Sequence, residues 1–131
     1  MHQREHWVGI IDDDVSIRRS LARVLRSRGI RVETFGSADD YLCRAGHGEP
    51  SCIVLDVHLG KSSGFELQDR LACEGKAPPI IWITAHEGIP AARRARGDSK
   101  CGFLRKPFDT DVLLTLVRRH LDCDIDDSPG R

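Results

Sequence analysis

Residues 51–56, Ser-Cys-Ile-Val-Leu-Asp, constrain the fold more than any other stretch of the sequence. The central run Ile53, Val54 and Leu55 is short, apolar and rich in β-branched residues. Such a run is typical of a strand buried on both faces, as in a parallel sheet covered by helices on both sides. The run ends at Asp56. Because open α/β sheets bind their ligands at the carboxyl ends of the strands, Asp56 is a candidate functional residue, although a helix cap or a loop position is the commoner role for a single Asp.

Strand-like and helix-like segments alternate along the whole chain. Predicted strands cover residues 7–11, 30–35, 51–56, 80–84 and 101–104, and predicted helices cover 15–28, 38–45, 65–73, 91–96 and 110–121. Alternation at this spacing predicts an α/β fold, a doubly wound (βα)5 sandwich with a parallel sheet and right-handed crossovers. No internal repeat is visible. We therefore expect one domain over residues 1–121, followed by a polar tail or linker at 122–131.

Composition excludes several classes of protein. Of the 131 residues, 40% are hydrophobic, and no apolar run approaches the roughly 20 residues that a membrane span needs. The polar N-terminus lacks an apolar signal core, which favours a cytoplasmic protein. Lys plus Arg and Asp plus Glu each number 20, so the net charge gives no electrostatic case for membrane or direct nucleic-acid binding. Five widely spaced cysteines favour neither disulfides nor zinc, and we expect them to be small buried hydrophobic residues.

Reactive side chains follow the strands that we place in the middle of the sheet. Asp12 and Asp13 follow the first strand, Asp56 ends the third, Thr84 ends the fourth, and Lys106 lies just past the fifth. Parallel strands bring these ends to one edge of the sheet. Three carboxylates at that edge would repel one another, which predicts a bound cation. An oxygen-only ligand set indicates Mg²⁺ rather than zinc. A hydroxyl and an ammonium group are donors suited to a phosphoryl group, so the pattern predicts phosphoryl transfer to a carboxylate nucleophile.

The sequence resembles the receiver domains of two-component response regulators over about residues 7–121. The matching segments are 10–14 (Ile-Ile-Asp-Asp-Asp), 54–57 (Val-Leu-Asp-Val), Gly64, 83–85 (Ile-Thr-Ala) and 106–108 (Lys-Pro-Phe). Residues 35–38 (Phe-Gly-Ser-Ala) and 103–108 (Phe-Leu-Arg-Lys-Pro-Phe) resemble in particular the receivers of nodulation-type and nitrogen-fixation regulators. The resemblance implies a flavodoxin-like fold, with a five-stranded sheet in the order 2-1-3-4-5.

The resemblance also implies a role for each matching residue. It implies that Asp56 is phosphorylated by a histidine kinase or a phosphotransfer protein. It assigns Mg²⁺ to Asp12, Asp13, Asp56 and the backbone carbonyl of His58. Such a domain is not an enzyme in the usual sense, because it catalyses only its own phosphorylation and dephosphorylation.

Signal output is implied to run through the phosphoryl-binding residues. Thr84 and Lys106 would bind the phosphoryl group, and Thr84 with Phe103 would switch the surface of the fourth helix, fifth strand and fifth helix. That surface could form a homodimer. We expect transcriptional output only through a separate or further domain, and the chain is either a stand-alone receiver or the front piece of a longer regulator.

Two other functions compete with a receiver. An Asp-nucleophile phosphatase or phosphotransferase would want a second Asp two residues after Asp56 as general acid, and His58 stands there. A flavodoxin-like cofactor-binding protein would want a Gly-rich or Ser/Thr-rich phosphate loop after the first strand, where residues 12–14 are all Asp. The sequence also departs from the family at Gly60, where Pro is frequent, and in the arginine-rich segment 91–101.

Overall fold

The computed structural model describes residues 6–44, 48–59, 62–75, 78–84, 102–106 and 109–126, without the side chains at 62, 102, 103, 105 and 122–126. Five strands form the main sheet: β1 Trp7–Ile11, β2 Arg31–Phe35, β3 Cys52–Asp56, β4 Ile80–Thr84 and β5 Gly102–Arg105. The helices are α1 Val15–Ser27, α2 Ala38–Leu42, α3 Gly64–Cys73 and a C-terminal helix Thr110–Asp126. A short antiparallel hairpin pairs His58–Leu59 with Ser62–Ser63. The predicted helix at 91–96 lies outside the described residues.

All neighbouring strands of the main sheet run parallel, in the order β2-β1-β3-β4-β5. This confirms the predicted order 2-1-3-4-5. Every residue of β1, β3 and β4 is buried, whereas in the edge strand β2 only Val32 is buried and the other four residues are exposed or partly exposed. The continuous apolar runs therefore mark the strands that have helices on both faces, as expected for a parallel sheet.

Successive residues of the central strands enter two separate cores. Val54 faces the core formed with α1 and the C-terminal helix, while Ile53 and Leu55 face the core formed with α2 and α3. The second core holds the large rings of Trp7 and Trp82. This alternation is the expected consequence of the two-residue period of a strand, and it produces the predicted sandwich.

Side chains cap the starts of helices α1 and α2. The Asp14 carboxylate accepts hydrogen bonds from the backbone N–H groups of Ser16 and Ile17 at the start of α1. The hydroxyl of Ser37 accepts one from Asp40 at the start of α2. After α1, Gly29 adopts a φ of +80°, a left-handed conformation that side chains other than Gly rarely adopt.

Several sequence-based expectations about boundaries and burial were wrong. Helix α2 ends at Leu42 rather than near residue 45, and the C-terminal helix continues past 121 to Asp126, since no Gly or Pro interrupts it before residue 129. Val15 and Val112 fit the apolar period of their helices in the sequence, yet they are 48% and 45% exposed because they lie at the solvent side of the first turns. In their place, Ala22 and Leu114 are buried.

The cysteines differ in their environments. Cys52 is buried in β3, as predicted, whereas Cys43 and Cys73 are exposed near the ends of α2 and α3, so the expectation of uniform burial was wrong. Among the described residues, no helix has both the length and the apolar character needed to cross a membrane.

Gly64 allows α3 to begin very close to β3 and β4. A Cβ atom at this position would lie 2.5 Å from the backbone oxygen of Asp56 and 2.8 Å from the ring of Trp82. The Gly64 N–H also donates to the carbonyl of Val57 at 2.7 Å. The absence of a side chain at residue 64 therefore sets the distance between α3 and the backbone of Asp56.

Replacing Gly64 by Ala should destabilise the fold, because the new methyl group would overlap main-chain atoms that cannot move aside. We expect Gly64→Ala to lower the free energy of unfolding by about 1–3 kcal/mol, measured by urea denaturation. Gly36→Ala is the matched control, since the atoms nearest to its Cβ belong to side chains rather than to the backbone, Arg18 at 3.2 Å and Asp40 at 3.7 Å. Equal losses in the two variants would contradict a specific role for Gly64.

Candidate functional site

Three carboxylates meet at the carboxyl-terminal edge of the sheet. Asp12 and Asp13 follow β1, and Asp56 is the last residue of β3, which pairs with β1. One oxygen from each lies within 4.8 Å of the others. Asp12 is 0% exposed and Asp56 is 6% exposed, whereas Asp13 is exposed to solvent. The site is thus a buried pair of carboxylates with a third at its solvent-facing edge.

Backbone groups fix the two buried carboxylates. The N–H of Asp14 donates to Asp12 Oδ1 at 2.9 Å, and the N–H of His58 donates to Asp56 Oδ1 at 2.9 Å. On the other side of the same loop, the guanidinium of Arg18 donates to the backbone carbonyl of Asp12 at 2.7 Å. Each carboxylate therefore keeps its second oxygen, Oδ2, directed toward other partners.

Lys106 brings a positive charge to both of these oxygens. Its Nζ lies 3.1 Å from Asp56 Oδ2 and 3.3 Å from Asp12 Oδ2. Its backbone N–H donates to the carbonyl of Thr84 at 2.7 Å, which places it directly beyond β4 and β5. Burial alone would lower the pKa of Lys106, but the hydrogen bonds and negative charges of Asp56 and Asp12 outweigh it and raise that pKa.

The environment of the Asp12 side chain disfavours its negatively charged form. Burial raises the pKa of Asp12 to about 6, against the opposing effect of the hydrogen bond from Asp14. The neighbouring charge of Asp56 raises this pKa further, and the attraction of Lys106 only partly offsets it. Within the part of the chain that the structure describes, the carboxylate cluster is therefore short of positive charge.

The other predicted site residues occupy the same edge. Thr84 is buried at the end of β4, one position beyond Ile83, the register partner of Asp56. The side chain of His58 is exposed next to the cluster. Phe103 lies in β5, paired with Trp82, and its side chain is outside the described part of the chain, as are His86, Pro107 and Phe108.

A hard divalent cation fits this donor set. The three carboxylates offer only oxygen ligands, and one of them lies at an exposed edge where waters can complete the coordination. Mg²⁺ is usually bound in this way, by one or two carboxylates with several waters retained. A single ammonium group cannot balance three carboxylates, so a divalent ion would relieve the remaining repulsion.

Comparison with known families identifies the kind of domain that carries this site. Residues 8–118 match the family model of the response regulator receiver domain. The chain belongs to this family. It is a receiver domain of two-component response regulators, with the flavodoxin-like fold of that family, as the resemblance in its sequence predicted.

Two curated relatives support the predicted subfamily. Nodulation protein W of Bradyrhizobium diazoefficiens is 43% identical over 110 residues, which cover 84% of this chain and 48% of that protein. The transcriptional regulatory protein FixJ of Azorhizobium caulinodans is 37% identical over 114 residues, which cover 87% of this chain and 54% of that protein. The chain thus spans about half the length of the curated relatives it matches.

Solved structures of response regulators share the fold of this chain. The response regulator StyR superposes with a TM-score of 0.80 at 36% identity, over 94% of this chain and 62% of that one. A response regulator protein from Burkholderia pseudomallei superposes with a TM-score of 0.74 at 26% identity, over 96% of this chain and 75% of that one. The latter structure contains a phosphorylated aspartic acid, a calcium ion and citrate.

Arg18 is a part of the site that sequence reasoning missed. The helical pattern placed it on the outer face of α1, yet its guanidinium reaches back to the carbonyl of Asp12 and lies close to Gly36. Its spacing, six residues after Asp12, was a usable signal, since an arginine in the second turn of a helix can reach the loop that precedes the helix.

The raised pKa of Asp12 predicts how stability depends on pH. Between its ordinary pKa of 3.8 and about 6, folded Asp12 holds a proton that the unfolded chain has released. Its contribution to stability therefore falls as the pH rises through this window and stays low above it. Without divalent cations, we expect Asp12→Asn to be the more stable protein at pH 7, by about 2–3 kcal/mol, with the difference fading toward pH 4.

Urea denaturation in EDTA at several pH values between 4 and 7 measures this difference. The control is Asp13→Asn, which removes the same charge at the exposed edge and should change stability much less. If Asp12→Asn is less stable than the wild type at pH 7, the burial of its charge is not the dominant cost at this site.

Proposed function

We propose that Asp56 accepts a phosphoryl group from a phosphohistidine of a histidine kinase or phosphotransfer protein. The observation that carries the proposal is the position of Asp56 Oδ2, 3.1 Å from Lys106 Nζ and beside the carboxylates of Asp12 and Asp13. Receiver domains partner with histidine kinases, so a histidine kinase is the proposed class of phosphoryl donor. The phosphorylated aspartic acid in the Burkholderia pseudomallei regulator supports it from a related fold.

The chemical step is a direct displacement at phosphorus. An oxygen of Asp56 forms a bond to phosphorus while the bond from phosphorus to the histidine nitrogen breaks, and the released imidazole takes up a proton. The His58 N–H, 2.9 Å from Asp56 Oδ1, holds the carboxylate in one orientation during the attack. Lys106 then moves its hydrogen bond from Asp56 to an oxygen of the arriving phosphoryl group, as a charged donor suited to it.

Mg²⁺ is the proposed cofactor. Asp12, Asp13 and Asp56 would hold it with the backbone carbonyl of His58, and it would neutralise the charge of the phosphoryl oxygens. Because Asp13 is the exposed member of the cluster, its side chain can approach an ion without further burial. The calcium ion in the Burkholderia pseudomallei regulator supports a divalent-ion site in this fold.

We propose a signalling role rather than turnover of a separate substrate. The domain would catalyse only its own phosphorylation and dephosphorylation, and His58 in place of an acid two residues after Asp56 weighs against a phosphatase. Residues 1–121 would form the receiver, and 122–131 a tail or linker whose first residues extend the last helix. A cytoplasmic location stays a prediction.

The output surface is proposed from the family. Phosphorylation would draw in the hydroxyl of Thr84, Phe103 would turn, and the surface of the fourth helix, fifth strand and fifth helix would change. This surface could support a homodimer. Transcriptional output would require a separate or further domain, which the roughly twofold greater length of the curated relatives supports.

The assignment of Asp56 is tested by Asp56→Asn. With acetyl phosphate and Mg²⁺, the wild type should gain the mass of one phosphoryl group and the variant none, because an amide is not a competent nucleophile. Intact-protein mass spectrometry measures both. Asp40→Asn, on the exposed face of α2, is the matched control and should be labelled like the wild type. Normal labelling of Asp56→Asn would move the acceptor to another residue.

Mg²⁺ should raise the melting temperature, because an ion that binds only the folded state stabilises it by mass action. We expect Asp13→Asn to weaken this shift and to slow labelling by acetyl phosphate together, whereas Asp40→Asn should leave both unchanged. Differential scanning fluorimetry across a Mg²⁺ titration, with Ca²⁺ in parallel, measures the shift. A melting temperature and labelling rate indifferent to Mg²⁺ would show that the cluster is not a metal site.

A further inference from the structure

An arginine-lined groove lies between α1 and the edge strand β2, and Arg18 connects it to the backbone carbonyl of Asp12. Its volume is about 790 Å³, and its polar lining is basic or neutral. The lining residues are Val15, Arg18, Arg19, Ala22, Arg23, Arg26, Ser27 and Thr34. Nothing in the proposed phosphoryl transfer uses this groove.

The positive charges of the groove are not neutralised within the described part of the chain. Arg18 and Arg26 donate to backbone carbonyls, of Asp12 at 2.7 Å and of Val32 at 2.8 Å, and none of the four arginines forms an ion pair with a described carboxylate. A carbonyl dipole fixes a guanidinium in place without cancelling its charge. The groove is therefore both preorganised and electrostatically unsatisfied, which favours an anionic occupant.

One phosphate-sized ion could not satisfy the whole groove. Arg18 and Arg26 are eight residues apart in α1, or about 12 Å along the helix axis. An extended set of negative charges matches this length. At the N-terminal end the groove opens at exposed Val15, and the exposed carboxylates of Asp13 and Asp14 come directly before it, which disfavours a continuous phosphate backbone. A short acidic protein segment meets these conditions.

The sequence itself supplies such a segment. The net charge of the chain is zero, but α1 contains four arginines and no acid, while the C-terminal helix ends in the sequence Asp122-Cys-Asp-Ile-Asp126. Asp122 and Asp126 are four residues apart, the same helical spacing as Arg19 and Arg23, so the two pairs have similar separations along their helices.

No described residue of the C-terminal helix lines the groove, whose lining comes from α1 and β2. The C-terminal helix packs against β3 on the α1 side of the sheet, whereas the groove lies on the far side of α1, at the β2 edge. We propose that the groove docks the acidic end of the C-terminal helix of a second copy of this chain.

This contact is independent of the phosphoacceptor assignment, and it uses the far end of the fifth helix, whose earlier turns belong to the proposed output surface. It consists of exposed ion pairs, which are individually weak and strongly screened by salt. The association should therefore be weak at physiological salt, stronger at low salt, and absent near 1 M salt.

Analytical ultracentrifugation of the 131-residue chain tests the proposal. Arg23→Glu should weaken self-association at low salt by at least about tenfold, because it places like charges opposite each other. Arg70→Glu is the matched control: it reverses the same charge at an exposed position on α3, on the opposite face of the sheet, and should leave association unchanged. Circular dichroism verifies that both variants are folded.

A charge swap distinguishes this contact from a general change in net charge. Asp126→Arg should also lose self-association, but a mixture of Arg23→Glu and Asp126→Arg should associate again, since every contact in the mixed assembly then joins opposite charges. Restoration supports the proposal. A wild-type chain that stays monomeric at low salt, or a mixture that fails to associate, overturns it. Binding of hexaglutamate to a monomeric chain in an Arg23-dependent way would also overturn it, in favour of an acidic partner other than a second copy.

Discussion

The ammonium group of Lys106 joins two carboxylates that belong to different strands. Without it, Asp12 and Asp56 would face each other as buried like charges at the edge of a parallel sheet, and their burial would destabilise the folded state. Lys106 reaches them because its own N–H bonds to the carbonyl of Thr84, where β4 ends. Among the described residues, Lys106 is the cation that pairs with these carboxylates, and the negative charge that remains is what a bound divalent ion would neutralise.

The central fold could be predicted because its signals are local. A strand buried on both faces is visible as a continuous apolar run, and each run here ends at the residue that enters the site. The ends of these strands also have to lie side by side. A parallel sheet meets this condition, because all of its strands have their carboxyl ends at the same edge. The sequence therefore predicted that Asp12, Asp56 and Lys106 lie at one edge of the sheet, and the structure places Lys106 Nζ within hydrogen-bonding distance of both carboxylates.

Features that depend on packing between elements could not be predicted in the same way. Val15 and Val112 fit a helical apolar pattern, but which side of a first turn faces the core is decided by the neighbouring elements. Cys43 and Cys73 are exposed because they lie at the ends of α2 and α3. The exact end of a helix is its least predictable feature. The need for Gly64 depends on a ring and a carbonyl from two other strands, and no spacing in the sequence reveals that contact.

Arg18 connects the two electrostatic features of the molecule. Its side chain lines the groove between α1 and β2, and its guanidinium holds the carbonyl that directly precedes Asp13. An acidic segment in the groove would compete with that carbonyl for the guanidinium, and a change in the loop around Asp12 would alter how Arg18 is presented to the groove. Linkage requires such an effect to be reciprocal in free energy. If the groove binds an acidic segment and the carboxylates bind a cation, the two events would be coupled through Arg18, with a strength set by how firmly the Asp12 carbonyl holds its guanidinium.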